Sequence, residues 1–201
     1  MAENQQSMTL QDALELAIKH HQAGQLDTAT AIYQQILQIQ PQQPIALHFL
    51  GVICHQKGDN ASAVDLISRA ITFEPEYAEA HSNLSLAFSA LGKIHEAIKS
   101  CKRALSINPN YAEAHNNLGL ALESLAKVNE AEDCYRTAVT LKPTYAIAHN
   151  NLGNVLQELG KFDAAVKSYK KAIEEDPQYA DARNNMGNAL RAEGRLEDAL
   201  E

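Results

Sequence analysis

The chain has 201 residues, 45% of them hydrophobic but only 5% aromatic and none Trp, and this Ala-, Leu- and Ile-rich mix favours close-packed helices over a β-sandwich. Seventeen Lys and Arg against 25 Asp and Glu leave a net charge of −8, which repels phosphate backbones and anionic lipid and so argues against nucleic acid and membrane partners. The cysteines, Cys54, Cys101 and Cys134, are odd in number and show no C-x-x-C spacing, so reduced, inert thiols in a cytoplasmic setting are expected instead of a disulfide framework.

Residues 1–9 form a polar N-terminal segment with no basic stretch leading into an apolar one, and no apolar run reaches the roughly 18 residues that span a bilayer. From residue 10 the chain repeats. Pro41, Pro75, Pro109, Pro143 and Pro177 are spaced 34 residues apart, so five of the six prolines share one lattice. With proline at position 32 of the frame, the repeats are 10–43, 44–77, 78–111, 112–145 and 146–179, with a partial sixth at 180–201.

Each frame holds two amphipathic helices. The first ends at a position 15 glycine (Gly24, Gly58, Gly92, Gly160 and Gly194), where a left-handed residue closes a helix at low steric cost. The second stops before the proline, which lacks an N–H and restricts the residue preceding it. First helices are therefore predicted near 10–23, 44–57, 78–91, 112–125, 146–159 and 180–193. Second helices are predicted near 26–39, 60–73, 94–107, 128–141 and 162–175. In the fourth frame Ala126 replaces the glycine, at a cost of about 1 kcal/mol if its backbone is left-handed.

Other positions carry a packing code. Position 20 is always Ala (Ala29, Ala63, Ala97, Ala131, Ala165, Ala199), and position 8 is always small (Ala17, Gly51, Ser85, Gly119, Gly153, Gly187). Position 7 is large (Leu16, Leu50, Leu84, Leu118, Leu152, Met186), so knobs alternate with the gaps that receive them. One such helical hairpin cannot bury its own apolar stripe, so stability belongs to the stack.

No catalytic constellation emerges. His81, His115 and His149 recur every 34 residues, but equivalent positions on stacked repeats stand about 8–10 Å apart, too far to share an ion that each ligand must reach at about 2 Å. They are read as packing residues. His95-Glu96 begins an H-E-x-x-H pattern that Lys99 breaks, and there is no phosphate-binding glycine loop or nucleophile elbow. His20 and His21 point apart on a helix and are read as surface residues. Lys99, Lys102 and Arg103, the longest basic cluster, read as a solvated helix face. These 201 residues are expected to be no enzyme and to need no metal or cofactor.

Leu-Gly at positions 7 and 8, Ala at 20, Tyr at 24 (Tyr33, Tyr135, Tyr169), Ala at 27 (Ala70, Ala104, Ala138, Ala172) and Pro at 32 make residues 10–201 resemble the tetratricopeptide repeat family. The departure is position 4, where the family's usual Trp is replaced by Ala13, Leu47, His81, His115, His149 and Arg183. The resemblance implies an all-α, right-handed superhelical solenoid of antiparallel helix pairs, a scaffold whose first helices line a concave groove holding an extended peptide or protein segment.

Helical periodicity puts positions 2, 5, 6, 9, 12 and 13 on the side of the first helix away from packed positions 7, 8 and 11. On that stripe lie Asn83, Asn117, Asn151 and Asn185 at position 6, Asn116, Asn150 and Asn184 at position 5, and Asn154 and Asn188 at position 9. Each carboxamide offers an acceptor and two donors, which suits sequence-tolerant pairing with a peptide backbone. The same amides could instead bond between adjacent repeats and hold the stack in shape; the sequence leaves both uses open. Positions 2, 5, 6 and 9 carry no Lys or Arg, which excludes a clamp for an acidic C-terminal tail.

The run Tyr-Ala-Glu-Ala-His-Asn-Asn-Leu-Gly at 111–119 is also similar to the repeat arm of O-linked N-acetylglucosamine transferases. That second resemblance implies a substrate-recruiting arm of a larger glycosyltransferase or sulfotransferase. The partial sixth repeat, whose second helix begins near Leu196, is expected to leave an open C-terminal end capable of weak self-association, or to mark the front of a longer protein.

Overall fold

A computed structural model of the chain describes residues 9–192. Within them the regular structure is entirely α-helical: α1 (Leu10–Gln22), α2 (Leu26–Ile39), α3 (Pro44–Gln56), α4 (Asn60–Phe73), α5 (Ala78–Ala90), α6 (Ile94–Ile107), α7 (Ala112–Glu123), α8 (Val128–Leu141), α9 (Ala146–Glu158), α10 (Phe162–Glu175) and α11 (Ala180–Ala192). The second helices of the frame, α2 to α10, coincide with the predicted ranges. The expectations for Gly194, Leu196 and Ala199 lie outside the described residues.

The helix ends follow from local chemistry. Thr9 caps α1 in a closed box: its hydroxyl accepts the Asp12 N–H at 3.1 Å while the Asp12 carboxylate accepts the Thr9 N–H at 3.0 Å. Five first helices end in the same six-residue closure, with Gln25, Asp59, Lys93, Lys127 and Lys161 N–H donating to the carbonyls of His20, Cys54, Phe88, Leu122 and Leu156 at 2.8–3.0 Å. The residue before each donor is left-handed. It is glycine in four cases, and Ala126 at φ 56° in the fourth frame. There α7 ends at Glu123, short of the predicted 125, and the Ser124 hydroxyl donates back to the Leu120 carbonyl at 3.0 Å.

The chain is an all-α solenoid of paired antiparallel helices whose described residues fall into two compact units, one ending at Lys93 and one beginning at Ile94. In the first, α1 packs on α2, α2 on α3, α3 on α4 and α4 on α5; in the second the same succession runs from α6 to α11. Close approach explains the small residue at position 8. A Cβ on Gly119 would stand 2.6 Å from the Tyr135 ring, one on Gly153 would strike the Tyr169 ring, and one on Gly51 would stand 2.6 Å from Ile67. Ile67, Tyr135 and Tyr169 are fully buried behind these gaps, and the position 20 alanines up to Ala165 are sealed as well.

Position 4 has a job beyond filling space. His81, His115 and His149 each point Nε2 at the carbonyl of the proline six residues earlier, Pro75, Pro109 and Pro143, at 2.8–3.0 Å, and Arg183 donates likewise to Pro177. Each side chain ties the loop entering a first helix to that helix. The bond satisfies a carbonyl that the proline turn would otherwise leave to solvent.

Candidate peptide-binding face

In the second unit α7, α9 and α11 stand in succession, and their position 5 and 6 amides bond to one another. Asn151 donates from Nδ2 to Asn116 Oδ1 at 3.0 Å, and Asn185 donates to Asn150 Oδ1 at 3.2 Å. Both links join position 6 of one first helix to position 5 of the one before, a separation of 35 residues. Asn116 is 2% exposed and also donates to Asn117 at 3.5 Å. Asn116, Asn117, Asn150 and Asn151 are all buried, so position 5 in these two repeats is not on a free face. A first helix in a stack touches its own second helix and the neighbouring first helices, and the single-helix pattern captures only the former.

The first unit has the same joint in different chemistry. Asn83 donates from Nδ2 to His48 Nε2 at 2.8 Å, again across 35 residues, while His48 Nδ1 meets the Tyr77 hydroxyl at 2.8 Å. With Asn83 donating, Nε2 is the unprotonated nitrogen and Nδ1 carries the proton. Burial, with a smaller contribution from His21, pushes the His48 pKa down to about 4. His21 is half-buried: it bonds Gln56 at 3.0 Å and meets the Phe49 ring edge-on at 5.8 Å. Aromatic packing around Phe49 and His48 takes the place that amides hold in the second unit.

The remaining amides face outward. Asn154, Asn184 and Asn188 are exposed, and Asn83 and Asn185 are half-exposed. Asn154 Oδ1 accepts from the Asn185 amide at 3.1 Å and from the Tyr169 hydroxyl at 2.9 Å. The Asn185 amide thus holds this oxygen, with the single Tyr169 hydroxyl proton shared between it and Gln157, and the Asn154 NH2 group is turned away from those partners. Tyr169 also reaches Gln157 Oε1 at 3.2 Å, and Asn154, Gln157, Glu158, Tyr169 and Asn185 border a shallow depression of about 300 Å³. Sequence reasoning missed Tyr169 and Gln157 as its supports.

The other chemistry-bearing residues stay apart. Among the described residues no three His, Cys, Asp or Glu side chains are grouped to hold a metal, and no helix is long and apolar enough to cross a membrane. Cys101 is buried and Cys54 and Cys134 half-buried; burial raises the Cys54 thiol pKa and pushes that of Cys134 up to about 11, which suppresses the nucleophilic thiolate.

A solenoid of helical hairpins presenting a polar stripe from successive first helices defines a class of repeat scaffold. Tetratricopeptide repeat models match residues 20–86, 146–179 and 168–201, and a TPR repeat model matches 86–125 and 127–160; the chain belongs to the tetratricopeptide repeat family. Among solved structures it is similar to TTC0263, a thermophilic TPR protein of Thermus thermophilus, at 27% identity over 91% of this chain and 100% of that one, with a TM-score of 0.79. MamA is 27% identical over 82% of this chain and 96% of its own, at a TM-score of 0.66. YrrB, a TPR protein with an unusual peptide-binding site, shares the fold at 21% identity over 94% of each chain and a TM-score of 0.63. No curated protein matches the chain.

Proposed function

We propose that this chain is a protein-binding scaffold that captures an extended polypeptide segment, with the outward amides of α9 and α11 as its contact groups. The observation that carries this is Asn154, whose oxygen is held by Asn185 and Tyr169 so that its NH2 is presented without a rotamer search. A group fixed before binding loses little entropy on binding. Asn184 and Asn188 lie on the same helix as Asn185 and extend the donors and acceptors along the chain. YrrB, with its peptide-binding site, lends family support at the level of the fold.

On this reading the nine asparagines divide their labour. The buried set, Asn116, Asn117, Asn150 and Asn151, sets the spacing of the first helices; Asn154, Asn184 and Asn188 meet the ligand, Asn185 serves both ends, and Asn83 links α3 to α5 in the first unit. The test is an array of extended peptides probed with the wild-type chain and with the Asn154→Ala, Asn184→Ala, Asn188→Ala triple variant. At about 0.5–1 kcal/mol for each of three hydrogen bonds, binding is expected to fall roughly tenfold to a hundredfold or slightly more while circular dichroism is unchanged. Equal binding by the folded variant contradicts the assignment. Replacing Asn117, Asn151 and Asn185 instead would also cut the ladder and lower stability.

The finer reading, a recruiting arm of a glycosyltransferase or sulfotransferase, rests on the 111–119 run and the asparagine series. A nucleotide-sugar or sulfonate-donor domain encoded in the same reading frame would support it, and a frame without one would remove it.

A further inference from the structure

The depression of about 300 Å³ beside α9 is bordered by Asn154, Gln157, Glu158, Phe162, Tyr169 and Asn185, none of them cationic. Asn154, Gln157 and Glu158 are spaced i, i+3 and i+4, so α9 presents them on one face. The Tyr169 hydroxyl draws the Asn154 and Gln157 oxygens together, at 2.9 and 3.2 Å, and so gathers acceptor oxygens on the rim that also carries the Glu158 carboxylate. Phe162 adds a half-buried aromatic wall.

We infer that this depression receives a basic side chain, Lys or Arg, of the bound polypeptide, and that Glu158 selects it. The inference rests on the reading that an extended segment lies along α9 and α11, and it adds the chemistry of one residue of that segment. Charge complementarity carries it. Glu158 is exposed and forms no hydrogen bond or ion pair among the described residues. The lysines that follow α7 and α9 are committed elsewhere: Lys127 pairs with Glu130 at 2.7 Å, and Lys161 pairs at 2.7 Å with Glu132, which Arg136 joins at 2.8 Å. Arg191 on α11 is exposed and is not among the bordering residues. A second carboxylate, Glu123 of α7, accepts the Tyr135 hydroxyl; burial raises its pKa against that bond, and the charge on nearby Glu158 raises it further.

The three classes of side chain fare differently there. A basic one brings N–H donors to the acceptor oxygens and charge to Glu158, while its methylene stem covers the Phe162 ring. An apolar one strips water from the same oxygens without pairing them. An acidic one meets like charge from Glu158 and Glu123. The Asn154 NH2 group, turned away from Tyr169 and Asn185, is left to take a backbone carbonyl of the same segment, so backbone capture and side-chain selection use neighbouring groups of one helix face.

The probes are randomised, end-capped peptide libraries whose central residue is fixed as Lys, Arg, norleucine or Glu, with binding read by fluorescence anisotropy. They are titrated with the wild-type chain, with Glu158→Gln, and with Glu96→Gln as a control that removes the same charge from an exposed site on α6 outside the depression. The wild-type chain is expected to bind the Lys or Arg library about threefold to tenfold tighter than the norleucine library, and the Glu library weakest. Glu158→Gln is expected to lose that preference while keeping its affinity for the norleucine library, and Glu96→Gln to retain it. Libraries that bind the wild-type chain equally, or a basic preference that survives Glu158→Gln, overturn the inference and leave backbone capture standing. A preference that falls as much in Glu96→Gln belongs to the net charge of −8 and overturns it as well. If the folded chain binds no library, the capture reading fails and this inference falls with it.

Discussion

Ala126 carries a conformation that its side chain disfavours. Its φ of 56° matches the glycines that close the other first helices, at 70–85°, and around those glycines a Cβ would meet nothing within 4 Å. The penalty is therefore in the backbone, about 1–2 kcal/mol for a left-handed L-residue, partly offset because glycine frees the unfolded chain by about 0.4–1 kcal/mol. Ala126→Gly is expected to stabilise by roughly 0.5–1 kcal/mol and to raise the urea midpoint; an unchanged or lower midpoint would show that this turn holds no strain. The exception was legible in the sequence, because a 34-residue lattice with glycine at the same position of the five other frames makes the one alanine conspicuous.

At the scale of the element, the joints between successive first helices are where single-helix reasoning stopped. The period of 3.6 separates the packed positions 7, 8 and 11 from their opposite face, but it cannot say that the neighbouring repeat covers positions 5 and 6. A signal was present in the pairing of position 5 with the residue 35 later. Leu14 is followed by Phe49, both in one apolar cluster, whereas His48 is followed by Asn83, Asn116 by Asn151 and Asn150 by Asn185, polar with polar each time. Like chemistry at a fixed offset of one period plus one residue marks a contact between repeats.

The α3–α5 joint gives this arrangement a pH dependence. His48 is held neutral by burial, its pKa depressed from 6.5 to about 4, so the unfolded chain binds a proton that the folded chain refuses. Its contribution is complete above about 6.5 and is lost as the pH falls toward about 4. Between neutral pH and about pH 5 the loss amounts to roughly 2 kcal/mol. His48→Gln keeps hydrogen-bonding capacity without titrating, so its stability is expected to fall less over that interval. Parallel urea titrations of the two chains measure the difference, and identical acid-side losses would clear His48 of the role.

For the molecule as a whole, repetition makes local choices collective. The buried amides link first helices, His81, His115, His149 and Arg183 tie the loops at Pro75, Pro109, Pro143 and Pro177 to the helices they enter, and the exposed amides of α9 and α11 stand on that support. Composition, charge and lattice were enough to reach the helical scaffold, since each is written in the spacing of residues along the chain. The division of the asparagines was not, because burial at a repeat joint depends on neighbours 35 residues away. The first unit departs further: Phe49 stands where later repeats have asparagine, and it stacks on Tyr33 within an apolar cluster.

Whether the outward amides meet a bound polypeptide while the buried ones hold the frame can be read from the side-chain NH2 resonances in heteronuclear NMR spectra as an array-selected peptide is titrated in. The signals of Asn154, Asn184 and Asn188 are expected to shift with peptide concentration in step with binding, while those of Asn116 and Asn150 stay close to their starting positions. A peptide that binds while the three outward amides remain unmoved would contradict this division of roles.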